Sequence, residues 1–377
     1  MSKQQVSFFW FRRDLRLEDN VGLFHALKSK YTVIPLFIFD DAILDSLPYN
    51  DPRVGFIYEN LSKINTQLLK IESALLVKKG KTLAVWELLL TEFDIKEVFF
   101  NKDYEPYAIK RDSAICELLE TNNAIAFSFK DQVIFEEKEI TKADGLPYTV
   151  YTPFKNKWLE KYKSMAPVLE YDATDVFSNF HKCDFVFPSL EQIGFEKSPI
   201  KVKPHNLKFI ANYQDIRDFP ALDQTSYLSP HLRFGTVSIR KLVNWAFHKN
   251  DVFLSELIWR EFFMQILFSF PRVVTQNFKS AYDGIQWRNN EEDFKRWCTG
   301  TTGYPMVDAG MRQLNETGFI HNRVRMVVAS FLCKHLLIQW QWGEAYFAEK
   351  LLDYDLSANV GNWQWAAGCG CDAAPYF

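Results

Sequence analysis

Five short apolar runs mark the first third of the chain: VSFFWF (6–11), VIPLFIF (33–39), ALLV (74–77), EVFF (97–100) and IAFSF (125–129). Charged segments of helical period lie between them. Strands buried on both faces read as unbroken apolar runs, so this alternation predicts a parallel sheet with covering helices. The first domain, 1–130, is therefore expected to be α/β and Rossmann-like. No G-x-G-x-x-G follows the first run, so the usual dinucleotide fingerprint is missing. Arg12-Arg13-Asp14-Leu15-Arg16 stands in its place, a charged turn whose simplest reading is a solvated or salt-bridged loop.

Between 131 and 204 the periodicity fades, interrupted by Pro147, Pro153, Pro167, Pro188 and Pro199. This stretch reads as a connector in which only YTPFKNKWLEKY (151–162) forms an ordered element. From 205 to 377 the pattern is helical, at 205–219, 236–248, 251–269, 291–298, 305–316, 319–340 and 344–352. The second domain is predicted to be all-α. Its last stretch, DYDLSANVGNWQWAAGCGCDAAPYF (353–377), reads as a polar and aromatic loop that ends the chain.

Composition narrows the class. At 47% hydrophobic and 24% charged, with no apolar run as long as a membrane span, the chain reads as soluble, and its N-terminus lacks the small-residue cleavage site of a secretory signal. Six scattered cysteines fit free thiols in the cytoplasm. Cys369 and Cys371 have no matching Cys/His pair nearby, so no metal site is expected. A net charge of −3 does not exclude nucleic acid, because steering depends on the local field.

The chemistry concentrates in the second half. Asp353, Asp355, Asn359, Trp363 and Trp365 combine π faces with hydrogen-bonding edges, the mixture that a flat, polar-edged ligand needs. Glu256, Trp259 and Arg260 fall on one face of a helix whose other positions are apolar. A buried Glu and Arg need partners, and their presence flags a site. Asn322, Arg325 and Met326 share a face in the same way, with Arg323 turned aside. An inward Arg325 would demand a carboxylate, which Asp353 or Asp355 could supply. The hydroxyls of Thr225, Ser226 and Ser229 at a helix start suit a phosphate, or serve simply as caps. Trp287, Trp340 and Trp363 lie on three separate segments.

Taken together, WFRRDLRLEDN, YTPFKNKWL, TSYLSPHLRFG, ELIWREFF, TGYPMVDAGMRQLNETGFIHNRVRMVVASFL and NWQWAAGCGCDAAPYF resemble, in order, the photolyase/cryptochrome family, most closely class I photolyases that repair cyclobutane pyrimidine dimers. The resemblance implies an α/β antenna-type domain followed by an all-α FAD-binding domain. It implies FAD, active in the reduced anionic form. Tyr213, Thr225, Ser226, Leu228 and Ser229 would lie around its phosphates. Glu256, Arg260, Asn322, Arg325, Asp353, Asp355 and Asn359 would surround ribose and isoalloxazine, with Asn359 facing the flavin N5. Glu256, Trp259, Met326 and Trp365 match positions facing an extruded dimer, and Arg323 a DNA-phosphate contact. Trp363, Trp340 and Trp287 match a photoreduction chain from flavin to surface.

The resemblance further implies a monomer acting on UV-damaged DNA, nucleoid-associated if bacterial. Met326 and Asn359 point to dimer repair over a 6-4 photolyase or a cryptochrome photoreceptor. A non-catalytic binding module is the rival of another class. Two departures stand out besides Phe319, where many relatives carry Trp. Ala108, in YEPYAIKRD (104–112), replaces the Glu of folate-binding relatives, so folate is not expected as a second antenna chromophore, which leaves a deazaflavin, a flavin or no antenna. Relatives continue past Pro375-Tyr376-Phe377 with R-[IV]-F-N-P and further helices, so the helical domain is expected to be incomplete.

Overall fold

In the computed structural model the described residues are 3–372, and the expectation attached to the chain end falls outside them. The chain divides into two compact units. One comprises Met1–Ile134, Leu169–Val202 and Phe234–Leu242, the other Phe135–Val168, Lys203–Arg233 and Val243–Phe377. The stretch 131–204, read from sequence as a connector, is thus shared out, its helical part going to the second unit.

The first unit holds a five-stranded parallel sheet: β1 (Gln5–Phe11), β2 (Thr32–Asp40), β3 (Leu76–Gly80), β4 (Asp94–Asn101) and β5 (Ile125–Phe129), in the order β3-β2-β1-β4-β5. Side chains alternate across the pleat. Phe9, Phe11, Phe37 and Phe39 enter one core with Leu23, Leu61 and Ile64. Phe8, Trp10, Leu36 and Ile38 enter another with Trp86, Leu89 and Ile115. Each fully buried apolar side chain of this kind contributes about 1.5–3 kcal/mol, which accounts for the long apolar runs within β1 and β2.

The charged turn after β1 is salt-bridged and largely buried. Arg12 pairs with Asp112, and Arg13 with Asp103 (3.1 Å) and Glu105 (3.0 Å). Arg16 donates to both oxygens of Asp131 at 2.8 Å. Arg240 donates to Asp131 at 2.8 Å and to both oxygens of Asp19 at 3.1 Å.

The second unit is helical among its described residues. Its longest helix, Asp251–Ser269, starts where the Asn250 side chain accepts from the N–H groups of Val252 and Phe253, and ends before Pro271. It is apolar nearly all round and correspondingly buried. Three sequence expectations need correction here. Segment 205–219 forms only the short turns Ile210–Asn212 and Tyr213–Ile216, since Lys208, Asn212, Gln214 and Asp215 are exposed and leave no continuous apolar stripe. The helix expected at 319–340 runs as Asn322–Ser330, passes through a π turn at Phe331–His335, and stops with Leu337 at φ +54° before a new helix, Trp340–Lys350.

The third correction matters most for function. The polar and aromatic stretch after Asp353 is a helix, Leu356–Ala367, capped by the Asp355 side chain on the Ala358 N–H (3.2 Å) and closed by Gly368. Gly361 lets this helix lie directly against Asp251–Ser269, because a Cβ there would run into the Phe263 ring. Gly343 does the same for the Trp363 ring against the helix Trp340–Lys350.

Candidate cofactor and substrate site

The helix Asp251–Ser269 presents Glu256, Trp259 and Arg260 as its half-buried polar face. Glu256 pairs with Arg217 at 2.8 Å. Burial pushes its carboxyl above the ordinary value, with Arg217 opposing the rise. Removal from water favours the neutral form, and the ion pair does not fully offset that. Arg260 reaches the Leu232 carbonyl at 3.5 Å. Trp259 is stacked on Tyr151, with centroids 3.6 Å and planes 9° apart, so one of its faces is taken by the protein itself.

Arg325 lies inward, as its spacing demanded. Its guanidinium forms a two-pronged pair with Asp353, at 3.2 and 2.8 Å, and its Nε donates to the Ile320 carbonyl at 2.8 Å. This planar fork is a geometry lysine cannot reproduce. Asp355 turns instead toward Arg233, at 3.5 Å. On the same helix Asn322 is exposed, and Met326 is half-buried with Arg323 Nη1 at 3.5 Å from its sulfur. Arg323 also pairs with Asp218 at 2.6 Å.

Asn359 is buried, and its Nδ2 donates to the Glu344 carbonyl (3.1 Å) and carboxylate (2.8 Å). A backbone carbonyl can only accept, which settles the amide orientation. Nδ2 faces Glu344, and Oδ1 is left on the far side to accept. Burial raises the Glu344 carboxyl, against the contact from Asn359.

Tyr213 packs edge-on against Phe253 at 5.3 Å, and burial, then the nearby Glu256, pushes its hydroxyl up to about 12. In the segment after it, Ser226 Oγ accepts from the Leu228 N–H at 3.4 Å, Leu228 is buried and Ser229 is exposed. Thr225 Oγ1 is buried without a hydrogen-bond partner. Phe319 packs on Tyr227 at 4.9 Å.

Trp340 and Trp363 are both buried in one aromatic core, with Trp287 and Trp365 half-buried against it. Trp340 Nε1 donates to Asn277 at 2.8 Å, and Trp363 meets Phe347 edge-on at 5.0 Å.

Arg217, Arg233, Glu344 and Tyr151 escaped the sequence reading. Arg217 follows Tyr213 by one helical turn, and Arg233 lies in the same TSYLSPHLRFG segment as Thr225, so both carried a weak signal. Tyr151 likewise opens the YTPFKNKWL segment, whereas Glu344, whose partner lies on another helix, gave no signal.

The residues fit a flavin nucleotide. An orphaned buried hydroxyl costs about 1–3 kcal/mol unless a ligand satisfies it, and Thr225 is such a group. The Arg325–Asp353 and Arg233–Asp355 pairs set fixed charges, and Asn359 offers an uncharged acceptor.

A parallel α/β unit together with a helical unit holding such a site defines a two-domain protein of flavin-nucleotide type. Comparison with known proteins narrows this further. Residues 7–174 match the DNA photolyase domain, and 253–377 match the FAD binding domain of DNA photolyase. The deoxyribodipyrimidine photo-lyase of Halobacterium salinarum is 36% identical, covering 99% of this chain and 84% of its own. A class III photolyase of Agrobacterium tumefaciens superposes with TM-score 0.85 at 33% identity, covering 100% of this chain and 82% of its own. An archaeal photolyase of Sulfolobus tokodaii superposes at 0.80 with 35% identity, over 99% of this chain and 85% of its own. That structure is described as holding two FAD molecules, implying a novel light-harvesting cofactor. The chain belongs to the photolyase/cryptochrome family. Ala108 is buried in the helix Pro106–Thr121. No helix among the described residues is long and apolar enough to cross a membrane.

Proposed function

We propose that this protein is a deoxyribodipyrimidine photo-lyase, a light-driven enzyme that repairs cyclobutane pyrimidine dimers in UV-damaged DNA. The observation that carries this reading is the pairing of Glu256 with Trp259 on one helix face. Glu256 would hydrogen-bond a pyrimidine carbonyl or imide edge, and an indole one turn away would offer an apolar wall to the extruded pair. A damaged pair is weakly stacked, so its extrusion costs less than that of normal bases.

When bound, reduced FAD supplies the light-driven electron that opens the cyclobutane ring and is then returned. The chain's own residues place and protect that chemistry. Thr225, Ser226, Leu228, Ser229 and Tyr213 would hold the phosphates. Arg260, Asn322, Arg325, Asp353 and Asp355 would hold the ribose and ring, and Asn359, oriented by Glu344, would present its amide oxygen to N5. Met326 and Trp365 complete the substrate side, and Arg323 the DNA phosphate contact. Trp363, Trp340 and Trp287 serve photoreduction, as an accessory to repair. The protein acts as a monomer on cytoplasmic DNA.

Glu256→Ala tests the assignment. It is expected to lower repair of a thymine-dimer duplex by about tenfold, the worth of one hydrogen bond to a charged or strongly polar group, while FAD content stays near wild type. Equal loss of both would make Glu256 a cofactor ligand only.

A further inference from the structure

Tyr151 opens the helix Tyr151–Met165, far in sequence from every residue assigned to the site. Its ring lies parallel to the Trp259 indole at 3.6 Å between centroids, and it is only 7% exposed while Trp259 is half-buried. Three contacts hold it there. Its hydroxyl donates to the Ser255 carbonyl at 2.7 Å, its backbone N–H donates to Asp372 at 3.0 Å, and its edge meets Phe262 at 5.8 Å. Ser255 lies one helical turn before Trp259, so Tyr151 grips two successive turns of the helix that carries the substrate wall.

The indole also meets Phe262 edge-on at 5.6 Å and Phe263 at 5.4 Å and 28°, both on its own helix. Tyr151 adds a near-parallel ring from another helix, tethered at both ends, which fixes the plane of the indole before the substrate arrives. We propose that Tyr151 is a positioning residue for lesion recognition, fixing the plane of Trp259, and that Asp372 fixes Tyr151. Tyr151 touches no substrate itself. Its stacking occupies one indole face, Phe262 and Phe263 take further parts of the ring, and the exposed remainder is preset for the pyrimidine pair. Preorganisation of this kind raises affinity by sparing an ordering cost at binding. The inference rests on the reading of Trp259 as a wall of the substrate cavity.

The test uses the full chain loaded with FAD, as wild type, Tyr151→Phe, Tyr151→Leu and Asp372→Asn. Binding is measured to a duplex with one thymine dimer and to the undamaged duplex. A 2-aminopurine opposite the dimer reports extrusion by fluorescence. Tyr151→Leu keeps the burial and removes the stack, and is expected to weaken dimer binding about threefold to tenfold and to lower the extrusion signal. Affinity for undamaged DNA, FAD content and repair at saturating DNA should be unchanged. Tyr151→Phe, which keeps the ring, should restore most of the dimer preference. Asp372→Asn should show a smaller loss of the same sign, without touching the stack. A Tyr151→Leu protein with wild-type dimer preference overturns the inference and leaves the proposed function standing. So does a Tyr151→Leu protein that loses FAD in proportion, since that assigns the ring to packing. A wild-type protein that does not distinguish dimer from undamaged DNA removes the proposed function, and this inference with it.

Discussion

The two units each contain a cluster of arginines and carboxylates, and the clusters differ in how completely they are satisfied. In the α/β unit, Asp19 accepts from Arg240, the Tyr171 N–H and Ser238, while Asp131 accepts from Arg16, Arg240 and the Val21 N–H. Both carboxylates are fully engaged and almost wholly buried. Burial alone would raise Asp131, but Arg16 and Arg240 outweigh it and hold its carboxyl below the ordinary value. In the helical unit, Glu256 is ion-paired with Arg217, and that pair together with the charges of Arg323 and Lys155 does not cancel its burial, Thr225 Oγ1 has no hydrogen-bond partner, and Asn359 uses only its side-chain nitrogen. A closed network locks a fold. Groups left partly unsatisfied are candidates for completion by a ligand.

The largest expected effect is on the closed network. Arg240→Ala leaves the buried Asp19 without an arginine and Asp131 with Arg16 alone, and should cost about 3–5 kcal/mol, read as the shift in urea midpoint at constant slope. The pH limb follows from the depressed Asp131. A group whose folded value lies below its unfolded 3.8 contributes stability that is present above 3.8 and lost as pH falls through the folded value. Stability of the wild type should therefore drop below about pH 4, and Arg240→Ala should flatten that limb. Wild-type stability in Arg240→Ala would break the distinction between the clusters.

The open cluster should respond in the opposite sense. Arg325→Lys replaces the fork on Asp353 with a point charge and is expected to reduce FAD retention by more than about tenfold, with a smaller loss in urea midpoint. FAD retention is read from the ratio of flavin to protein absorbance. The smallest effect sharpens the comparison most. Thr225→Val keeps the shape and removes the orphaned hydroxyl, so it should leave apo stability within about 0.5 kcal/mol or raise it, while weakening FAD about threefold to tenfold. A loss of apo stability without a loss of FAD would show that the hydroxyl serves the fold.

The sequence made the α/β unit legible because its central strands β1 and β2 are buried on both faces, so most of their positions carry the same message. Helical spacing also exposed Arg325 and its need for a carboxylate, and Asp353 meets it. The helix Leu356–Ala367 was hidden by Gly361 and Asn362, which suit turns; their presence reflects close packing on Phe263 in one case and exposure in the other. Its cap at Asp355 and stop at Gly368 were readable in principle. Tyr151 and Glu344 were not, because what they do depends on residues brought to them only by folding.

The most direct test is repair of a defined thymine dimer under blue light, with a 6-4 lesion in parallel and the absorption spectrum recorded beforehand. Light-driven dimer repair predicts a flavin spectrum, light-dependent restoration of the thymine dimer, and no change in the 6-4 lesion or in the dark. A flavin-bound protein that leaves the dimer intact under light would contradict it.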